Sequence, residues 1–262
     1  MDLQPLLARF MNEFKFMIAA DDTQKRRVYR LRHDIYCAEL GYEPPTDPDN
    51  KLEYDSYDER AIHCLIEHRR TGVAAACTRV VLPKPDAEPP FDRLPMENYG
   101  GRSLTHQELH PQRLPSADYY EISRLAVARA FRTKLHGKEI PGISDTPLEF
   151  TDKERETFSL LVSGLFIAGY ALGRLLDKSI AFAMMEPRLP RLLSMSGFHF
   201  TKVGETIDFH GRRSAYCITR QQAEAGMNRQ LMPLYQHIQQ QLSEQLGTPS
   251  RLSERTTINL TM

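Results

Sequence analysis

The stretch DYYEISRLAVAR at residues 118–129 decides the fold, because it places charged side chains in the middle of an apolar segment. We predict a strand with mixed faces over it. Glu121 has apolar neighbours on both sides, and burial in a sheet raises the pKa of a carboxyl group toward the range of a general base. Ser123 should share the face of Glu121, and Arg124 should point the other way. An ion pair between Glu121 and a cation across the sheet is an equally simple role for this carboxylate.

A basic segment follows this strand directly. It carries four cations, Arg129, Arg132, Lys134 and Lys138. A solvated loop is the ordinary role of such a run, but the same charges suit a phosphate, as on a phosphopantetheine arm, or an acidic carrier protein. The chain contains neither G-x-x-x-x-G-K-[ST] nor G-x-G-x-x-G, so no nucleotide cradle is indicated.

The first hundred residues predict a helix and a hairpin upstream of this strand. Asp21-Asp22-Thr23 is a helix start signal, and the helix should cover residues 23–40. Three prolines, at positions 44, 45 and 48, then force an irregular loop. Residues 61–67 and 73–82 are apolar and flank a glycine turn, which predicts a β-hairpin.

Arg79 is a charge inside the second hairpin strand, and a buried arginine usually has a carboxylate partner. Asp55, Asp58 and Glu121 are the candidates. By itself, Asp55-x-x-Asp58 favours a turn, since Asp side chains commonly bond backbone N–H groups there. Two carboxylates are too few for a metal site, and no D-x-D-x-D-G loop is present, so we predict no bound metal.

The remaining elements complete a mixed α/β fold with a largely antiparallel sheet flanked by helices. We predict helices near residues 3–14, 158–176, 187–197 and 231–246, further strands at residues 14–20, 179–185, 198–203 and 213–219, an irregular segment at residues 129–150, and a long proline-rich loop at residues 83–115 with one helical turn near residues 104–109. We assign residues 1–220 to a single domain, residues 221–246 to a C-terminal amphipathic helix, and residues 247–262 to a flexible tail.

Composition narrows the class of protein. Lys+Arg and Asp+Glu both total 34 in 262 residues, so the chain lacks the basic excess of most nucleic-acid binders. Its four cysteines form no C-x-x-C pair and have no histidines at zinc spacing, which indicates reduced thiols packed in the core. The N-terminus lacks the basic region of a signal peptide, and glycines within residues 158–176 favour a buried core helix over a membrane span. We therefore expect a cytoplasmic protein.

Several motifs taken together resemble a known family. The stretch RLRHDIYCAELGYE at residues 30–43, Asp55-x-x-Asp58, Arg79, and EISRLAV at residues 121–127 follow the order and spacing of the acyl-homoserine-lactone autoinducer synthases and the related N-acyl amino acid synthases. The acyltransferases associated with PEP-CTERM/exosortase systems share the first and last of these motifs. The resemblance covers about residues 15–220 and implies the GNAT-type acyltransferase fold.

The resemblance also implies a reaction. An acyl carrier protein, or CoA, would donate a fatty acyl thioester to the amino group of an amino acid or similar small amine, with no tightly bound cofactor. Glu121 would assist deprotonation of the amine, and backbone N–H groups near residues 123–125 would polarise the thioester carbonyl. The resemblance thus assigns catalysis to Glu121, Ser123 and Arg124. It assigns the amine-side pocket to the set Arg32, Tyr36, Tyr42, Asp55, Asp58 and Arg79, and the carrier or its phosphopantetheine to Arg129, Arg132, Lys134 and Lys138.

The chain departs from the autoinducer synthases in two respects. Aromatic positions that are Phe and Trp in those enzymes are Tyr36 and Tyr42 here, and the chain has no Trp, which argues against S-adenosylmethionine as the acceptor. The glycine-rich turn that holds the pyrophosphate of acetyl-CoA in many GNAT enzymes is not evident. Residues 129–150 are longer and basic instead, which favours a donor bound to a carrier protein.

Three hypotheses follow for function. The leading one is an N-acyltransferase that forms an N-acyl amide. The second is a lactone-forming autoinducer synthase that uses S-adenosylmethionine. The third is a non-catalytic acyl- or lipid-binding protein, since a fold can outlive its reaction. We expect no nucleic-acid partner and no transmembrane segment, and we leave peripheral membrane contact open.

Overall fold

The computed structural model describes residues 3–132 and 149–247. Within these ranges the helices are α1 (Gln4–Glu13), α2 (Asp22–Arg32), α3 (Pro95–Gly100), α4 (Asp152–Thr157), α5 (Leu161–Leu175), α6 (Arg188–Ser194), α7 (Arg220–Gly226) and α8 (Met232–Leu246). The strands are β1 (Phe14–Ile18), β2 (Ile62–His68), β3 (Val73–Val81), β4 (Tyr119–Val127), β5 (Ile180–Met185), β6 (Thr201–Lys202), β7 (Ile207–Asp208) and β8 (Arg212–Thr219).

The strands form one sheet in the order β1-β2-β3-β4-β5-β8-β6, with β7 paired to β8. All neighbouring strands are antiparallel except β4 and β5, which run parallel in the middle of the sheet. This is the mixed, mostly antiparallel α/β fold that the sequence predicts. α5 lies between β4 and β5 in the chain, as a parallel crossover requires.

α5 is the central helix of the core. Helix α4, a 3₁₀ turn and α5 together span Asp152–Leu175, which is long and apolar enough to cross a membrane, but 72% of the apolar window is buried inside the fold. Its glycines let it lie directly on β4: a Cβ atom on Gly173 would stand 2.2 Å from the Tyr120 hydroxyl. The burial and the close packing both agree with the predicted core helix.

α8 packs against α5 and against the edge strand β1. Its buried residues, Leu234, Ile238 and Leu242, join the hydrophobic cluster that contains α5. The side chains of Gln241 and Gln245 accept hydrogen bonds from backbone N–H groups of β1. Because β1 ends the sheet, α8 covers an edge that would otherwise present unpaired backbone groups.

The helix predicted in the proline-rich loop forms at another place. Residues 104–109 are not helical, since Thr105 and His106 both donate backbone hydrogen bonds to Val203. The helix is α3 instead, where Pro95 occupies the first turn and the Glu97 carboxylate accepts from the Leu94 N–H. Proline at the first turn with glutamate two residues later is a helix start signal that the prediction overlooked.

Two further elements differ from expectation in extent. The helix predicted over residues 23–40 begins at Asp22, and after Arg32 it continues as a π-helical segment, His33–Glu39. The strand predicted at residues 198–203 is reduced to β6. Of the predicted tail, residues 248–262 lie outside the described residues.

Candidate active site

The centre of the sheet opens where its two parallel strands separate. β4 and β5 pair only from Tyr119 with Ile180 to Glu121 with Phe182. Beyond this point a cavity of about 720 Å³ is lined by residues 121–127 of β4 and 183–185 of β5. The cavity therefore begins at Glu121.

A β-bulge in β4 lies beside the opening. Arg124 and Leu125 of β4 stand opposite the single residue Thr78 of β3. Arg124 has φ 51°, the left-handed conformation that side chains rarely adopt. The bulge puts one extra residue into the strand, so the strict alternation of faces is lost at this position.

The bulge changes where Arg124 points. Ser123 accepts a hydrogen bond from Arg79, whose guanidinium also binds Asp55. Arg124 reaches that same Asp55 carboxylate, at 3.2 Å. Ser123 and Arg124 therefore extend toward one side of the sheet, and the prediction that Arg124 points away from Ser123 is wrong, because it assumed a regular strand.

Glu121 is a buried carboxylate with a single backbone partner among the described residues. Its side chain is on the cavity wall, the residue is 3% exposed, and Oε2 accepts a hydrogen bond of 2.8 Å from the Met96 N–H. Burial raises the pKa of Glu121 to about 7, against the opposing effects of that hydrogen bond and of the Arg79 and Arg124 charges. Within residues 3–132 and 149–247, no cation forms an ion pair with Glu121. The alternative that Glu121 pairs with a cation across the sheet is therefore not seen there.

Three arginines and four carboxylates form a charged network that extends from this wall into the protein. Arg32 binds Glu53 at 2.5 Å and Asp58 at 2.7 Å. Arg79 binds Asp58 at 2.9 Å and Asp55 at 2.6 Å, which settles its partners as two of the three candidates. Burial opposes ionisation of Asp58, but the Arg32 and Arg79 guanidinium groups hold its pKa well below the usual range.

Arg124 closes the network toward the cavity. Its Nη2 lies 3.0 Å from Glu43, 3.3 Å from Glu53 and 3.2 Å from Asp55. Asp55 also accepts from the Tyr57 N–H, as the turn alternative required, so this aspartate serves a turn and an ion pair together. The network joins α2, the loop before β2 and the strands β3 and β4.

The predicted site residues fall into three groups. Those that line the cavity are Tyr36, Tyr42, Arg79, Glu121, Ser123, Arg124 and Arg132. Arg32, Asp55 and Asp58 lie behind the wall, in the charged network. Arg129 is half-buried in a 3₁₀ turn off the cavity, and Lys134 and Lys138 lie outside the described residues.

Two of the lining residues are already held by the protein. The Tyr36 hydroxyl donates to the Leu125 carbonyl at 2.8 Å, and burial raises the pKa of Tyr36 above its usual range. Arg132 is bound to Glu39, so one charge of the basic segment is neutralised within the chain.

An aromatic cluster of which the sequence indicated only Tyr42 faces the same cavity. It consists of Tyr42, Tyr99, Phe209 and His210, all on the cavity wall. His210 stacks on Tyr42 with ring centres 5.1 Å apart, and Tyr99 stacks on Phe209 at 4.9 Å. His210 Nε2 also lies 3.4 Å from the Glu43 carboxylate. The available signal was Phe209-His210-Gly211 at the tip of the β7–β8 hairpin, interpreted only as a connection between strands.

His210 is held in an uncommon conformation. Its φ is 52°, followed by φ 87° at Gly211. A non-glycine residue in the left-handed region costs free energy and persists where its surroundings fix it, which is frequent at functional sites.

The cysteines stand apart from this chemistry. Cys64, Cys77 and Cys217 are buried, Cys37 is half-buried, and none of the four lines the cavity. Burial raises the pKa of Cys64 and Cys77 to about 12, so neither is an activated nucleophile. In the part of the chain that the structure describes, no three His, Cys, Asp or Glu side chains are grouped to hold a metal ion.

The sequence and the fold are similar to those of known proteins. Residues 31–137 match the model of the acetyltransferase (GNAT) domain. The autoinducer synthase LasI aligns with a TM-score of 0.52 and 16% identity, over 82% of this chain and 96% of LasI. The chain has the GNAT fold.

Two further solved structures match to a similar degree. BjaI, a CoA-dependent acyl-homoserine lactone synthase solved with S-adenosylmethionine and isopentyl-CoA, has a TM-score of 0.52 and 21% identity, over 84% of this chain and 90% of BjaI. FeeM, an N-acyl amino acid synthase from uncultured soil microbes, has a TM-score of 0.52 and 13% identity, over 84% of this chain and 96% of FeeM. Among curated protein sequences no relative matches. The GNAT domain and these synthase neighbours support an acyltransferase.

Proposed function

We propose that this GNAT protein is an N-acyltransferase that moves a fatty acyl group from a carrier-protein or CoA thioester to the amino group of an amino acid or similar small amine. The observation that carries the proposal is Glu121, a buried carboxylate with a pKa of about 7 at the point where the cavity begins. A base with this pKa is about half ionised at neutral pH, so it both accepts and returns a proton.

The proposed reaction proceeds by direct transfer. Glu121 takes a proton from the acceptor amine, directly or through a water, as the nitrogen attacks the thioester carbonyl carbon. Backbone N–H groups near residues 123–125 stabilise the oxyanion that forms. When the C–S bond breaks, the leaving thiolate receives the proton and the carboxylate of Glu121 is restored. The products are an N-acyl amide and a free thiol.

Arg79, Arg32 and their carboxylate partners are assigned to positioning. Arg79 donates a hydrogen bond to Ser123 and is held in turn by Asp55 and Asp58. The network therefore fixes the part of β4 that directly follows Glu121. Arg32 neutralises the innermost carboxylates. A catalytic group needs this kind of support because misplacement by about 1 Å lowers rates strongly.

The proposal places acceptor and donor at different parts of the cavity. The cluster of Tyr42, Tyr99, Phe209 and His210 suits a small organic acceptor. We propose a carrier-protein thioester in preference to a CoA thioester as the donor, because a basic segment follows β4. Two observations favour CoA instead: Arg132 of that segment is bound to Glu39, and BjaI is described as CoA-dependent. The exosortase association and a cytoplasmic location rest on the sequence and stay predictions.

Mass spectrometry of organic extracts tests the proposal. Cells would express the wild type, Glu121→Gln or the control Glu97→Gln, which alters another buried carboxylate off the cavity wall. We expect new N-acyl amino acid masses with the wild type and the control. Removal of a general base lowers rates on the order of 10²–10⁴-fold, so Glu121→Gln should give almost none.

Other products would select the other hypotheses. An acyl lactone in the wild-type extract would establish the autoinducer synthase instead. Equal amide levels from Glu121→Gln, with both proteins folded, would remove Glu121 as the base. If purified wild type supplied with acyl thioesters and the twenty amino acids formed no product but retained bound lipid, the binding-protein hypothesis would replace ours.

A further inference from the structure

Exposed apolar side chains are concentrated at the cavity. Six large hydrophobic residues are exposed in the described part of the chain: Leu40, Tyr54, Tyr99, Leu192, Met195 and Met232. Four of these six, all except Tyr54 and Met232, line the one cavity described above. Scattered exposed apolar residues are ordinary, but their collection at one opening marks a surface that meets an apolar partner.

Helix α6 and its C-terminal cap supply the most exposed part of this opening. Met195 is 79% exposed and Leu192 is 44% exposed, while Leu193 is buried in the core and Leu189 packs against it. The apolar surface of α6 is therefore larger than its packing in the fold requires. We call the exposed set Arg188, Arg191, Leu192 and Met195 the α6 rim.

The α6 rim is cationic as well as apolar. Arg188 and Arg191 are both exposed, and neither forms an ion pair within residues 3–132 and 149–247. The other four arginines of the cavity wall differ in this respect. Arg79 and Arg124 are paired with carboxylates of the charged network, Arg132 binds Glu39 and Arg213 binds Glu186. The charge that remains available to a partner at this opening is thus positive.

We propose that the α6 rim binds the surface of an anionic lipid bilayer. Arginines bind lipid phosphates, and exposed apolar side chains next to them, here Leu192 and Met195, enter the headgroup region. An acidic carrier protein would use the two arginines but would not need a methionine as exposed as Met195. The inference rests on the proposed function in one respect: a fatty N-acyl amide is itself a membrane lipid, so a cavity that opens on a bilayer releases product without passing it through water.

Vesicle sedimentation with the full-length protein and no substrates tests the docking. Vesicles would contain phosphatidylcholine alone or mixed equally with phosphatidylglycerol. We expect binding to the mixed vesicles only. Each arginine near an anionic surface strengthens binding about fivefold, so Arg188→Ala with Arg191→Ala should weaken it about 25-fold. Met195→Ser should weaken it further.

A matched control is Arg229→Ala with Met232→Ser, an exposed arginine and methionine that do not line the cavity. This control should bind mixed vesicles within twofold of the wild type, and so should Glu121→Gln, even though we expect that variant to be inactive. Vesicle binding thereby separates docking from catalysis. Absence of wild-type binding to mixed vesicles, or equal loss in the control, would overturn the proposal. Rim-dependent binding of an acidic carrier protein without vesicle binding would assign the rim to the carrier.

Discussion

At the scale of single residues, the titration of Glu121 links the chemistry to pH. Burial raises its pKa to about 7, and the base must be ionised to accept a proton. We therefore expect kcat/KM for amide formation, calculated on the concentration of uncharged amine, to rise tenfold per pH unit below about pH 7 and to level off above it. A rate profile over that range, with the acceptor well below saturation, measures this. If the base were an ordinary exposed carboxylate, it would be ionised already near pH 5, and the profile would be level from there upward.

The same shift predicts an effect on stability with a defined sign. The pKa of Glu121 is raised from 4.5 to about 7, so folding disfavours its ionised form. The contribution of the protonated Glu121 to the free energy of unfolding is fully present below about pH 4.5, and it is lost as the pH rises through 7. As the pH rises from about 4.5 to 8, the free energy of unfolding of Glu121→Gln should therefore increase by about 3 kcal/mol relative to that of the wild type. Urea unfolding of both proteins at several pH values measures this. A difference in free energy of unfolding that does not change with pH would contradict the raised pKa of Glu121.

His210 is predicted to shape acceptor binding. The Asn side chain tolerates a left-handed φ, so His210→Asn keeps the hairpin while removing the stack on Tyr42 and the contact with Glu43. Stacked aromatic pairs contribute about 0.5–1.5 kcal/mol, so we expect the acceptor KM to rise about two- to tenfold and the donor KM to stay unchanged. The control is His199→Asn, which is exposed and off the cavity. Equal changes in both KM values would instead indicate a general loss of structure.

The sequence identified individual residues better than their directions. Glu121 and the carboxylates around Arg79 were predicted from single charges within apolar segments, because a buried charge needs a partner. The direction of Arg124 depended on the bulge, and a bulge is defined by the register of two strands. That register is set by distant residues, so local alternation alone gave the wrong face.

At the scale of elements, α5 packs directly against β4, the strand that lines the cavity from Glu121 onward. A Cβ atom on Gly173 would lie 2.2 Å from the Tyr120 hydroxyl, closer than any real contact. Gly173→Ala should therefore move α5 away from β4 and lower the free energy of unfolding by about 1–3 kcal/mol, despite the better helix propensity of alanine. Gly101→Ala, with no atom within 4 Å of the added carbon, should leave stability within about 0.5 kcal/mol. Chemical denaturation of both variants measures the difference, and equal stability would refute the tight contact.

Elements with a strong period were predicted well, and irregular ones were not. α5 and α8 carry continuous apolar patterns, and both form where expected. In the proline-rich loop, the prediction followed the apolar spacing of residues 104–109, but that backbone is held by Val203, about a hundred residues away in the chain. The helix formed where local capping is strong, at α3. Tertiary hydrogen bonds thus outweighed a weak local pattern.

At the scale of the whole molecule, the C-terminal helix and the rest of the chain share one core. The sequence predicted a domain at residues 1–220 followed by an amphipathic helix. Whether that helix covers its own core or pairs with another chain was left open, because its apolar stripe did not reveal its partner. In the structure, α8 packs on α5 and also binds the backbone of β1 through two glutamines. The N-terminal edge of the sheet is therefore completed by the other end of the chain.

This arrangement predicts that α8 is required for folding. A chain ended at Leu231 would lose the buried side chains of α8 and expose the β1 edge, so we expect it to be insoluble or unfolded. Within the full chain, Ile238→Ala should lower the free energy of unfolding by about 2–4 kcal/mol, since the side chain is fully buried. Gln240→Ala, on the exposed face of the same helix, should change it by less than about 0.5 kcal/mol. Circular dichroism and urea unfolding measure all three, and a folded chain ended at Leu231 with the wild-type unfolding midpoint would show that the sheet and α5 form a core without α8.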